Sequence, residues 1–230
     1  MGLRREHVQR PGVDRSGGYL ALSVDRPNHY LERNLTVEPK TRASILEAAK
    51  QALLDSGYSG LSTRKIAVAA GVPLSQIHYH FGSKQGLVLE VLEEENRKLL
   101  ERQKTMYSSD LPLWKQWEQA CDFLEEDLDS GYVRVLQEML AAGWSNPEIA
   151  AAVKDMLRHW YVLLGEVAAR SAGRIGGLGP FTPAEAGFVA GAPFLGAEAM
   201  ILLGISEDEV PVRSALRKFG EVLRSMEEGS

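Results

Sequence analysis

From Thr41 onward, apolar residues recur three and four positions apart in one segment after another, and no run alternates with the two-residue period of a strand. That pattern commits the chain to helices packed on helices. The first stripe is Ile45, Ala48, Ala49, Ala52 and Leu53, with Gly57 as its stop. Ser62 or Thr63 then caps a short helix whose inward residues are Ile66, Ala67 and Ala70, and Gly71 closes it in the left-handed conformation. Pro73 suits the first turn of a third helix over about 74–80. A long helix should run over about 84–104, with Leu87, Val88, Val91, Leu92, Leu99 and Leu100 inward and Glu93, Glu94, Glu95 and Arg97 outward. Gly and Pro then punctuate helices over about 112–129, 132–143, 147–172, 183–204 and 211–226. The expected fold is all-α, and 230 residues suffice for one large or two modest domains.

Residues 1–39 lack either periodicity and should form a mostly disordered arm ending near Pro39. Arg4-Arg5 leads into no hydrophobic region, and the longest apolar stretch, 187–205, is diluted by Gly, Pro193 and Glu198. No membrane span and a cytoplasmic location are therefore expected. The single cysteine, Cys121, forbids an internal disulfide and belongs at a core position. Charge is segregated: residues 40–84 carry six Lys/Arg against Glu47 and Asp55, whereas residues 85–230 carry 14 against 24 carboxylates. A small basic head on an acidic body suits a module that binds a polyanion.

The segment "STRKIAVAAGVPLSQIHYHFGSK" (62–84) ends in the cluster His78-Tyr79-His80. On a helix His78 and His80 lie about 200° apart, so they cannot chelate one metal, and neither a Cys partner nor an HExxH pattern completes a set. Acid/base work would need an orienting carboxylate, yet residues 56–85 contain no Asp or Glu. That absence favours an anionic partner. Ile77 and Phe81 share the inward face, Ser75 and Tyr79 fall opposite, and Gln76 and His78 occupy the shoulders. Two short helices joined by Gly71-Val72-Pro73 form a helix-turn-helix, whose second helix enters the DNA major groove. Gly71 is expected because a side chain would clash in the turn.

Residues 41–91 resemble the TetR family of bacterial transcriptional repressors through "LSTRKIAVAAGV", "HYHF" and "GSKQGL" in the family's order and spacing. The resemblance implies a helix-turn-helix DNA-binding domain over 40–86 and a helical effector-binding and dimerisation domain over 87–230. Thr63 and Arg64 would meet phosphates, and Ser75 and Gln76 would face base edges. His78 and Tyr79 would reach phosphate or sugar, His80 falls at a position some members use for backbone contact, and Lys84 would clamp a phosphate. Gln76 can pair with adenine, whereas Ser75 discriminates poorly.

For the body, the resemblance implies a dimer and a ligand pocket. Ala186, Ala190, Gly191, Ala197 and Met200 lie close to one face of the helix over 183–204 and are the dimer-interface candidates, against an intramolecular helix contact. Pro193 should kink that helix. Trp114, Trp117, Phe123, Met139, Trp144, Met156 and Trp160 are pocket candidates, with His159 as a polar handle beside Arg158. Core packing is the competing reading of these side chains. The acidic run Glu125-Glu126-Asp127-Asp129 is read as a solvated face, and "GRIGGLG" (173–179) as a connection between helices.

The expected function is a homodimeric, sequence-specific DNA-binding regulator, a repressor released from double-stranded operator DNA by a small apolar or amphipathic effector. Two other readings stay open: a DNA-binding adaptor whose body holds a protein partner, and a helical small-molecule enzyme. The enzyme reading has no nucleophile-base pair, metal set or paired carboxylates behind it, so no catalytic residue, metal or cofactor is expected.

Overall fold

The computed structural model describes residues 29–229, with side chains from Lys40 onward. All regular structure among the described residues is helical. In chain order the helices are α1 (His29–Gly60), α2 (Thr63–Ala69), α3 (Leu74–Phe81), α4 (Lys84–Tyr107), α5 (Leu113–Asp129), α6 (Tyr132–Gly143), α7 (Pro147–Ser171), α8 (Pro183–Leu202) and α9 (Val212–Glu228). From Glu38 on, the chain forms one compact unit, and α4 passes through residue 86 without a break. The expected arm over 1–39 is corrected at its end. Helical backbone begins at His29 and continues through Pro39, whose fixed φ is itself helical, while residues 1–28 lie outside the described ones.

The head is built on Ile45, Leu53, Ile66, Ile77 and Leu87, all essentially fully buried. Gly57 interrupts α1 with φ 65 and ψ 176, a combination essentially confined to glycine. The next residue, Tyr58, donates its backbone N–H to Glu138 Oε2 on α6 at 3.0 Å. Gly71 has φ 67, and the α2 terminus closes with Val72 N–H on Ala67 O (3.0 Å) and Gly71 N–H on Val68 O (3.1 Å). The expected reason for that glycine is corrected: a Cβ there would meet nothing within 4 Å, so the positive φ and not a clash demands it. Ser83 Oγ accepts from Gly86 N–H at 3.0 Å and caps α4.

In the body, α7 packs against α8, α5 against α9, and α6 against α7. Asn146 caps α7 by accepting from Glu148 and Ile149 N–H, with Pro147 in the first turn. Thr182 and Glu185 form a reciprocal capping box at α8. α7 and α8 approach almost to backbone contact, since a Cβ on Gly187 would lie 2.6 Å from Gly165 N. By length and composition alone α8 passes as a candidate membrane span, a test that a core helix of a helical bundle also passes, and α8 packs along α7. Its buried stripe is Gly187, Gly191, Phe194, Ala197 and Glu198, and the helix continues through Pro193. Cys121 is buried as expected, and burial pushes its thiol up to about 11.

Gly57→Ala should destabilise the protein by about 1–3 kcal/mol, because alanine rarely adopts that φ/ψ pair. The new Cβ would also sit 2.7 Å from Glu138 Oε1 and disturb the acceptor of the Tyr58 N–H. Urea unfolding of the two proteins measures it, and equal midpoints would refute the strain.

Candidate functional site

Two places in the fold gather functional side chains: the outer face of α3, and a cavity in the body. On α3, Ile77 and Phe81 anchor the helix in the core, which turns Ser75, His78 and Tyr79 outward and leaves Gln76 and His80 half-buried. Tyr79 is 71% exposed although its ring is large and apolar, and it meets His80 edge-on at 5.0 Å between centroids. His78 Nδ1 lies 3.2 Å from Gly82 O, and His80 Nε2 is buried without a hydrogen-bond partner. Arg64 is exposed at the first turn of α2 and Thr63 half-buried beside it. The free N–H groups of the α2 and α4 N-termini lie near these side chains in sequence and favour anions.

Lys84, at the first position of α4, stands over the Tyr58 ring with Nζ 4.8 Å from its centroid. Sequence reading missed that contact. Its signal would have been an aromatic residue just beyond the Gly57 stop, but the pairing spans 26 positions and has no local period. A second link joins the head to the body: Asn146 Nδ2 donates to Gln85 Oε1 at 2.7 Å, and Gln85 Nε2 donates to Glu148.

The cavity, of about 430 Å³, lies among α4 to α9 and is walled on one side by the loop after α7. Trp117, Phe123, Met156 and Trp160 line it, as expected of four pocket candidates. The other four do not. Met139 is fully buried in the core, and Trp114 packs towards α9 with the Arg224 guanidinium 4.9 Å from its ring. Trp144 is 86% exposed at the α6–α7 turn, and His159 is on the surface with Arg158, both bound to Asp155. Aromatic content alone could not separate lining from core or surface. The segment 173–179 is more than a connection, since Ile175, Gly177, Leu178 and Gly179 line the cavity.

The polar groups of the cavity were not foreseen. Trp160 Nε1 donates to Gln103 Oε1 at 2.9 Å, and Tyr132 Oη approaches Asn96 Oδ1 at 3.5 Å. Asp127 is held by Arg102, whose Nη2 donates to both carboxylate oxygens at 2.7 and 2.6 Å. Arg102 also reaches Glu126, while Arg213 reaches Glu125, so the acidic run is largely an ion-paired surface. Glu198 is 8% exposed, and Gln137 Nε2 donates to its Oε2 at 2.9 Å. Burial pushes its carboxyl up to about 7, against the opposing effect of the Gln137 hydrogen bond.

The dimer-interface candidates divide. Gly191 and Ala197 are buried within the chain, and Ala186, Ala190 and Gly191 line the cavity; a Cβ on Gly191 would come 2.5 Å from Leu164 Cδ1. Gly191 therefore serves the α7–α8 contact, Ala186 and Ala190 are half-buried, and among the five only Met200 is exposed. The other exposed large apolar side chains on α8 and α9 are Phe188, Val189, Leu202, Phe219, Val222 and Met226. Among the described residues no group of three or more His, Cys, Asp or Glu could hold a metal ion.

Residues 45–91 match the family described as bacterial regulatory proteins, tetR family. The chain is 33% identical over 61 residues to the HTH-type transcriptional repressor AcnR of Corynebacterium glutamicum, a match covering 26% of this chain and 32% of AcnR. It spans less than two thirds of the length of the curated relatives it matches. Among solved structures, a putative transcriptional regulator from Saccharomonospora viridis in complex with choline superposes with TM-score 0.65 and 24% identity, over 78% of this chain and 95% of that one. The regulator FadR from Bacillus subtilis in complex with stearoyl-CoA gives TM-score 0.65 at 15% identity, over 82% and 98%.

The Glu198 shift fixes a dependence of stability on pH. The folded state holds the proton more tightly than the unfolded state, so stability should fall as pH rises from 4.5 towards 7 and remain low above it. The loss is on the order of 3 kcal/mol. Glu198→Gln should remove that component, so that wild type minus variant stability drops between pH 5 and pH 8. A difference that is constant across that interval in urea titrations would show that the carboxyl titrates normally.

Proposed function

We propose that this chain, whose residues 45–91 match the tetR family of bacterial regulatory proteins, is a homodimeric repressor of that family whose α3 helices read a two-fold operator and whose body cavity takes a small effector. The observation that carries this reading is the outer face of α3: hydrogen-bonding side chains project from a helix fixed by Ile77 and Phe81, within a stretch, 56–85, free of carboxylates. Thr63, Arg64, Lys84, His78 and Tyr79 contact phosphate or sugar, with His80 at their edge. Ser75 and Gln76 face base edges. In the dimer the two recognition helices sit about 34 Å apart, one turn of DNA.

The exposed apolar side chains of α8 and α9 suit burial against a second copy, which gives the operator its second head. The cavity supports a ligand-responsive regulator over an adaptor, because a volume of about 430 Å³ with few polar groups suits a small molecule and not a protein. The effector binds better to the dimer that does not fit the operator and so shifts the population off DNA. Choline and stearoyl-CoA are the ligands of two structural neighbours, which differ in charge and size and leave the chemistry of this effector to its own residues. The protein acts in the cytoplasm, without catalysis or cofactor.

Gel-shift binding to the DNA upstream of its own gene tests the reading. Lys84→Ala should weaken binding to all sequences and flatten the salt slope by about one unit. Gln76→Ala should lose about 1–3 kcal/mol of discrimination at one base pair with little change in nonspecific affinity. A folded dimer that gives no specific shift at low or high salt would sink the proposal.

Sedimentation measures the assembly. Phe188→Glu and Val222→Glu, each placing a charge on the apolar face, should convert the wild-type dimer to monomer at micromolar concentration, whereas a wild type that sediments as monomer refutes it.

A further inference from the structure

The cavity described above combines an apolar wall with an uncompensated carboxylate. Of its two acidic residues, Asp127 is neutralised by two hydrogen bonds from Arg102. Glu198 has no cationic partner among the described residues: its one hydrogen bond is from the uncharged Gln137 amide, to Oε2. No Lys, Arg or His lines the cavity among the described residues. Trp117, Phe123, Tyr132, Trp160 and Phe194 supply aromatic faces and edges around it. Trp117 and Phe194 stand edge-on at 5.2 Å between centroids.

We propose that this cavity recognises a lipophilic cation, an ammonium-type group carried on an apolar or aromatic body, with Glu198 as its counter-charge. The proposal rests on the reading of the cavity as the effector site. An anionic head group would be brought against Glu198, which has no compensating cation, at a cost that the low dielectric enlarges. A neutral apolar ligand would bury Glu198 further and require it to hold its proton. A cation does the reverse, since it stabilises the carboxylate and adds attraction to the aromatic faces.

Those alternatives predict opposite dependence on pH. Around Glu198 the charged and titratable groups are Asp127 of α5 with its Arg102 partner on α4, Tyr132 of α6 and Tyr161 of α7. Burial raises both tyrosines above their ordinary range, so neither ionises near neutrality. α9 contributes Phe219, Leu223 and Met226 to the cavity, none of which titrates. Glu198 therefore governs the neutral range. With its carboxyl near 7 and only the ionised form competent, affinity for a cation rises about tenfold from pH 6 to pH 8.

The test uses the full chain and three probes: 4-phenylbutyltrimethylammonium, whose charge is permanent, its uncharged carbon isostere ending in tert-butyl, and 5-phenylpentanoate. Binding is followed by quenching of tryptophan fluorescence and by calorimetry at pH 6, 7 and 8. The expected result is that the cation binds at least tenfold tighter than the other two at pH 8, and that its affinity rises with pH. Glu198→Gln, near-isosteric and checked for folding by its melt, should lose at least tenfold in cation affinity and the pH dependence with it. The wild-type pH series stands alone should that variant not fold. Isostere binding as tight as that of the cation, cation affinity that falls with pH, or no cation binding at all would overturn the assignment. Release of the operator is scored separately by gel shift. A cation that binds with these signatures yet leaves the DNA complex intact would overturn the effector reading and not the site.

Discussion

The body depends on the near-contact of α7 and α8. Gly165 and Gly187 let two backbones meet where any side chain on Gly187 would strike the opposite chain, and Gly191 repeats the approach one turn on against Leu164 and Tyr161. Two long helices drawn together at this end must leave their remaining length to be filled from elsewhere. Trp160 and Phe194 fill part of it, and α5 and α9 close the far side, fastened by Trp117 Nε1 donating to Leu216 O at 2.6 Å. The cavity is the space these bulky groups do not fill. Its position therefore follows from where glycines replaced side chains on α7 and α8.

The same stripe that packs α8 carries Glu198 into the cavity. Gly187, Gly191, Phe194 and Glu198 are spaced by four, three and four residues, so all four face inward. A glutamate at that register on so apolar a helix is an expensive residue, since burial alone disfavours its charged form. Its burial is tolerated because the carboxyl holds its proton near neutrality and Gln137 gives it one hydrogen bond.

The head was legible in the sequence and the cavity was not, for one physical reason. A helix-turn-helix is specified over some twenty consecutive residues: periodicity names Ile66, Ile77 and Phe81 as inward, and Gly71 and Ser83 mark the ends. Every one of those signals is local. A cavity is defined by residues from six helices whose relative placement no local period encodes, so Trp160 and Trp144 read alike although one lines the cavity and the other is 86% exposed. Small residues on α8 misled in the same way, because a stripe permits close packing without saying which helix will accept it. Glu198 carried a usable signal, a lone carboxylate in phase with an apolar stripe, but it was counted only as a charge that breaks a membrane span.

In the proposed regulator an effector alters operator affinity only through contacts that differ between two states of the dimer. Both α4, which runs unbroken from Lys84 to the cavity wall, and α6 connect cavity and head. Tyr132 and Leu136 of α6 line the cavity, and Glu138, on the same helix, accepts the Tyr58 N–H just beyond the break at Gly57. The Tyr58 ring in turn lies under the Lys84 ammonium at the start of α4. Beyond the C-terminal end of α6, Gln85 is tied to Asn146, the cap of α7, and to Glu148 in its first turn. A rigid-body shift of α6 would move the acceptor of the Tyr58 N–H and so disturb the head at the break in α1.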